Sequence, residues 1–224
     1  MEKSKIRTID HPLIRLFGLC LGLIIMAFGI AFSIKADLGT SPISSLPYAT
    51  SEIFQVSVGT TTIIMNFCFV FLQIIILRSQ YDWFQLLQLP AAVLFGTVID
   101  LAESFLTPLS YSGYIQQWLF CAVGIILVAL GVSIEVKANL VTTAGEGIVL
   151  AICKVTPIKF GNMKVIFDIT LVCISVVLAF IFLGRLSGVR EGTIVAAVLI
   201  GQITKIFSKI LSELPKGLQA SEMK

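Results

Sequence analysis

Long apolar runs alternate with short polar stretches along the chain. The runs cover approximately residues 16–34, 59–78, 85–106, 115–136, 162–184 and 190–211. Each approaches the ~20 residues that a helix needs to cross a hydrocarbon core of ~30 Å. The first, Leu16 to Ile34, carries no charge over its 19 residues. That is longer than the ~7–15 apolar residues of a secretory signal, so the pattern predicts a retained first helix. Two weaker stretches lie between runs: DLGTSPISSLPYATSEIFQ after the first and NLVTTAGEGIVLAICK after the fourth. Their segments 41–54 and 143–155 are too short to cross, which predicts half-helices that are re-entrant or interfacial.

The pattern nearly repeats. Shifted by 102 residues, Gly22, Ile24, Ala27, Gly29, Lys35, Ala36, Leu38 and Thr40 fall on Gly124, Ile126, Ala129, Gly131, Lys137, Ala138, Leu140 and Thr142. The segment from residue 15 to 107 thus reads as one membrane repeat and 115–211 as a second. Residues 1–14 and 212–224 read as cytoplasmic ends. On the same offset Asn66 meets Asp168. The third runs align at an offset of 105, where Gly96 meets Gly201 and Asp100 meets Lys205.

Composition makes lipid the solvent. Charged residues are 13% of the chain and the mean hydropathy is +0.98, against about 25% charged in soluble domains. With the N-terminus in the cytoplasm and six crossings, the inner side receives Lys3, Lys5, Arg7, Arg15, Arg78, Lys137, Lys154, Lys159, Lys164, Lys205, Lys209, Lys216 and Lys224. The outer side receives Lys35, Arg185 and Arg190. This bias follows the positive-inside rule, and an eight-crossing count spoils it. Three crossings per repeat force the second repeat to enter from the opposite face. The expected fold is all-α and integral to the membrane: six transmembrane helices as two inverted three-helix repeats, each with a short half-helix.

Catalytic and metal chemistry find little support. His11 is the only histidine, and Cys20, Cys68, Cys121, Cys153 and Cys173 stand singly. No zinc spacing and no G-x-x-x-x-G-K-[ST] loop is present. The chain is read as no enzyme, with no cofactor, no metal and no nucleic-acid partner.

The polar residues that remain are candidates for binding. Ser41 before Pro42 suits a helix start. Thr143 occupies the aligned position, and Glu146 three residues later would complete a capping box. Two such N-termini present unpaired N–H groups and favour an anion, or they are ordinary caps at the interface. The candidate solute contacts are Asp37, Thr40, Ser41, Asn139, Thr142 and Thr143, with Asn66 and Asp168 lining the same space. Asn66 and Asp168 equally suit interhelical hydrogen bonds. Asp100, Glu103 or Asp168 could carry protons or an ion. Asp100 and Glu103 also suit a wetted interfacial pair, and Lys205 and Lys209 suit snorkelling to lipid phosphates. Gly18, Gly22, Gly29, Gly124 and Gly131 predict close helix packing. Pro90 predicts a kink. Tyr81, Trp83, Tyr111, Tyr114 and Trp118 predict an aromatic belt.

The segments ADLGTSPISSLPYATSE, GTTTIIMNFCFVFLQIIILR and QLPAAVLFGTVIDL resemble the YczE/YyaS/YitT-type bacterial membrane proteins, in particular the YczE-like branch. The resemblance runs from about Arg15 to Leu211. It implies a multi-pass protein of the bacterial inner membrane and transfers no functional residue. The expected function is a small-molecule transporter or permease with an anionic or zwitterionic solute between the repeats. Two alternatives stand beside it. One is a solute-binding subunit of an ATP-driven uptake system, which needs an energising partner. The other is a membrane scaffold or assembly factor. Substrate and oligomeric state, including a homo-oligomer, stay open.

Overall fold

A computed structural model describes residues 12–213 and is all-helical there. His11, Lys3, Lys5, Arg7, Lys216 and Lys224 lie outside the described residues. Eight α-helices follow in order: α1 Pro12–Ala36, α2 Pro42–Phe54, α3 Val58–Leu77, α4 Gln88–Leu106, α5 Tyr114–Ala138, α6 Ala144–Val155, α7 Phe160–Leu183 and α8 Glu191–Glu213. Six of them are long and apolar enough to cross a bilayer. The other two, α2 and α6, have 13 and 12 residues. At 1.5 Å per residue they reach about 20 Å, short of a crossing.

The surface explains the composition. Large apolar side chains such as Phe71, Phe105, Ile115 and Ile194 are exposed on the long helices. In water such a surface would aggregate; in hydrocarbon it meets its own kind. The protein is an integral, multi-pass membrane protein.

α1 and α5 form the central crossing, and α4 packs on α1 as α8 packs on α5. The small residues make this possible. A Cβ on Gly29 would lie 2.6 Å from the Val128 amide nitrogen, and one on Gly131 would lie 2.6 Å from the Gly22 carbonyl oxygen. The backbones therefore touch without intervening side chains, as membrane helices with small residues do. Around this crossing the half-helices interlock: α2 packs on α7 and on α3, and α6 packs on α3 and on α7.

One pair of contacts is unequal. α3 packs along α4, whereas α7 and α8 share no comparable contact. A Cβ on Gly96 would meet the Gly59 carbonyl oxygen at 2.5 Å, so those two helices also meet backbone to backbone. At Gly161 of α7 and Gly201 of α8 a Cβ would meet no described atom within 4 Å. α7 and α8 are accordingly the least buried of the long helices.

Three local expectations are corrected. Pro90 does not kink a helix centre. It lies in the first turn of α4, where its missing N–H costs no helical bond. The preceding residues Trp83–Leu87 form a 3-10 turn instead. Tyr81 is not a belt residue, because it is buried against the chain, with its ring edge-on to Trp83. Cys68 and Cys173 are exposed rather than packed, while Cys121 is buried.

The crossing predicts a stability contrast. Overpacking a close-packed contact costs about 1–3 kcal/mol, so Gly29→Ala is expected to lower the thermal midpoint of the detergent-solubilised protein by several degrees. Gly201→Ala has open space and gains helix propensity, so its midpoint stays level or rises. Equal melting of Gly29→Ala and the wild type would contradict the backbone contact.

Candidate functional site

A cavity of about 470 Å³ opens inside the bundle. Every one of the eight helices contributes to its wall. Most of the lining is apolar: Leu23 and Met26 of α1, Phe95 of α4 and Val128 of α5 form one side. Both half-helix starts reach it, through Ser41 and Pro42 at α2 and through Thr143 and Ala144 at α6. The loops that follow α1 and α5 turn back at Asp37 and Asn139, each at positive φ. After that reversal both half-helices begin at the cavity.

The two starts are capped differently, and neither as the local motif predicts. The Ser41 hydroxyl donates to the Ser44 hydroxyl at 3.0 Å and makes no backbone cap. Pro42 at the first position removes one of the amides that would need a partner. At α6 the Thr143 side chain makes no cap bond, so the expected capping box is not formed. Its place is taken by Glu135 of α5, whose Oε1 accepts the Thr143 N–H at 2.8 Å. Glu135 is only 3% exposed and lines the cavity. In the offset of 102 its counterpart is Ser33, which merely donates to the Gly29 carbonyl one turn back. The positive end of α6 is thus already met by a carboxylate of the chain itself.

Five of the candidate residues come together here: Ser41, Asn66, Thr142, Thr143 and Asp168. Asn66 is buried and donates to the Thr62 carbonyl of its own helix. Asp168 pairs with Lys164 one turn earlier on α7. Glu146 and Lys205 also line the cavity. Among the described residues the Glu146 carboxylate accepts no hydrogen bond. Burial pushes it above the ordinary carboxylate range, against the opposing pull of the Lys164 ammonium. A buried polar pair closes one side, where Gln73 donates to Gln88 at 3.0 Å and to the Ala144 carbonyl at 3.1 Å.

The remaining candidates lie elsewhere. Asp37 and Thr40 line a separate hollow of about 90 Å³ with Tyr48, Glu52, Arg185 and Arg190. It is a clasp. Arg185 pairs with Glu52 at 3.2 Å, Arg190 with Asp37 at 3.6 Å, and the Ser187 hydroxyl donates to Glu52 at 2.5 Å. Backbone bonds from Thr40 N–H to Gly188 and from Gly192 N–H to Leu38 tie the loop after α1 to the start of α8. Burial, reinforced by the Glu52 carboxylate, pushes the Tyr48 hydroxyl up to about 12. Asn139 ends α5, and its carbonyl accepts from Arg15 at 3.1 Å.

Asp100 holds α3 to α4: its carboxylate accepts from the Gly59 N–H and from the Ser57 hydroxyl, each at 2.7 Å. Glu103 lies one turn beyond on α4 and lines neither hollow. Glu135 is the residue that reasoning from sequence passed over. Its signal was a carboxylate inside a 25-residue apolar helix, a placement that lipid penalises and that therefore implies an interior partner.

The cap makes a local prediction. Loss of an N-cap costs about 1 kcal/mol, so Glu135→Ala is expected to speed hydrogen exchange of the Thr143 amide by roughly fivefold to tenfold. Ser41→Ala is expected to leave the first turn of α2 nearly unchanged, since that hydroxyl caps no amide. Equal effects of the two substitutions would refute the assignment of Glu135 as the cap.

The chain is 27% identical over 193 residues to the uncharacterized protein YyaS of Bacillus subtilis (strain 168), covering 85% of this chain and 90% of that protein. It is 28% identical over 200 residues to the uncharacterized membrane protein YczE of the same organism, covering 88% of this chain and 84% of that one. No solved structure matches it. Residues 13–209 match the family of unknown function DUF6198, and the chain belongs to that family.

Proposed function

We propose that this protein is a small-molecule transporter made of two inverted three-helix repeats, with its solute site in the cavity where the two half-helices begin. The repeats comprise residues 15–107 and 115–211, and both chain ends lie in the cytoplasm. In this reading Ser41, Asn66, Thr142, Thr143 and Asp168 line the solute path. No bond is made or broken.

The carrying observation is the inequality of the two seams. Under a duplication that relates α1–α4 to α5–α8, the contact of α1 with α4 answers that of α5 with α8. The packing of α2 on α7 answers that of α6 on α3. The α3–α4 seam is the exception. It is shut by Gly59, Gly96 and the Asp100 carboxylate, while Gly161 and Gly201 of α7 and α8 face open space. Two halves of one design in different states are what alternating access requires, because each state of an inverted pair mirrors the other. The conjugate state closes α7 on α8 through Gly161 and Gly201 and opens α3 from α4. The duplication also explains why the seam now open is the easier one to open. Asp100 and Ser57 of the closed seam correspond to Lys205 and Lys159, which cannot form that latch.

Spin labels test the exchange in a version with the five cysteines replaced. One pair sits on the exposed positions Ile169 of α7 and Val198 of α8, the other on Phe67 of α3 and Val93 of α4. Gly96→Leu blocks the closed seam and is expected to lengthen the α3–α4 distance while shortening the α7–α8 distance. Gly201→Leu blocks the conjugate state and is expected to leave the resting distances as a single population. A fixed α7–α8 distance in both variants would reject alternating access and favour a static binding subunit or scaffold.

A further inference from the structure

The charge inside the cavity is unbalanced in a way that the transport reading does not use. Three carboxylates line it, from Glu135, Glu146 and Asp168, and two ammonium groups, from Lys164 and Lys205. Lys164 is engaged with Asp168 on its own helix. Lys205 is exposed on α8 and makes no ion pair among the described residues. Glu135 spends one oxygen on the Thr143 N–H, and its other oxygen accepts no hydrogen bond among the described residues. Glu146 has no hydrogen-bond donor there at all. A buried carboxylate short of donors is expensive. Here the 3% exposed Glu135 and the partly exposed Glu146 border one largely apolar space, while the Lys164 ammonium near Glu146 is already paired with Asp168.

The rest of the wall narrows the chemistry. Leu23, Met26 and Val128 offer no hydrogen bonds, and Phe95 and Phe160 add aromatic surface. A strongly hydrated solute would lose its water there and regain few partners. We infer that the cavity takes an amphiphilic organic cation, with its positive group at Glu135 and Glu146 and its apolar body along Leu23, Met26 and Phe95. This deepens the transport proposal and rests on its site, but it replaces the anionic solute expected from the half-helix starts. The reason is that the α6 N-terminus is already occupied by Glu135.

The same carboxylates accept protons, so proton and cation compete. The charged groups that share the cavity with Glu146 are Glu135 from α5, Lys164 and Asp168 from α7 and Lys205 from α8. α3 contributes the uncharged Thr62 and Asn66, and α2 the uncharged Ser44. Protonation of these carboxylates removes the charge that holds the cation, so cation affinity falls as the pH is lowered.

Two probes of the same shape and opposite charge decide the matter: tetraphenylphosphonium and tetraphenylborate, measured by equilibrium dialysis against the purified full chain in detergent. Tetraphenylphosphonium is expected to bind at one saturable site, at least about tenfold weaker in Glu146→Gln and weaker at low pH. Lys205→Met is expected to bind it no less tightly. Retained thermal melting of Glu146→Gln shows that the loss is not unfolding. Saturable binding of tetraphenylborate in preference, or undiminished phosphonium binding by Glu146→Gln, overturns the inference. No saturable binding of phosphonium to the wild type overturns it as well. If the seams still exchange in the spin-label experiment, the transport proposal survives that failure. Phosphonium binding with immobile seams would reject transport and leave a cation-binding protein.

Discussion

Where α1 and α5 cross, no side chain separates the two backbones. Gly22 and Gly29 on one helix meet Gly131 and Gly124 on the other, closely enough that an added Cβ would lie under 3 Å from backbone atoms. Lipid gives packed helices no hydrophobic reward for meeting, so association depends on such close van der Waals contact. The rest of the bundle follows from it. Once the two longest helices are held together, the loops at their C-terminal ends return toward the shared centre. The half-helices then start beside the crossing and find their packing partners across it, α2 on α7 and α6 on α3. The cavity is what remains between these two starts and the crossing.

A helix start that borders a largely apolar cavity has to be neutralised locally, and the chain does so in two ways. At α2 a proline removes one donor. At α6 a buried carboxylate from α5 accepts the first amide. This difference makes the two half-helix starts chemically distinct. The acidic groups gather on the α5–α6–α7 side of the cavity, while the α1–α4 side carries no charge. Under the proposed duplication Asp100 answers to Lys205, a difference that bears on the seams instead. The carboxylate fastens the first turn of α3 to α4 through charge-assisted bonds, each worth about 1.5–3 kcal/mol. A lysine at the matching place offers no such fastening.

Much of this was legible in the chain, for definable reasons. The six spans are set by run length, and the half-helices by runs too short to cross. Both patterns are local, so α2 and α6 begin at Pro42 and Ala144, where Ser41 and Thr143 marked them. The small residues at seven-residue spacing announced a close-packing face on α1 and another on α5, and the structure sets those two faces against each other. What could not be read depends on how loops return. Asp37 and Thr40 belong to a clasp rather than the cavity because the chain reverses at Asp37. Glu135 caps α6 only because the loop through Asn139 folds back by one turn, which makes a residue eight positions earlier a neighbour of Thr143. A capping box is a local rule, and a stronger acceptor from the adjacent helix displaced it. Tyr81 looked like a belt residue by its place at a run's end and is buried by the 3-10 turns that follow α3.

The central claim is that the cavity is reached from one face of the membrane at a time, through seams that exchange. Sided labelling tests it most directly. In a cysteine-free version, a single cysteine at Met65, which lines the cavity, is offered a membrane-impermeant thiol reagent in right-side-out and in inside-out vesicles. The account predicts labelling from both faces for the otherwise unaltered chain, and labelling from one face alone when Gly201→Leu holds the α7–α8 seam open. Labelling from the same single face with and without that substitution would contradict it.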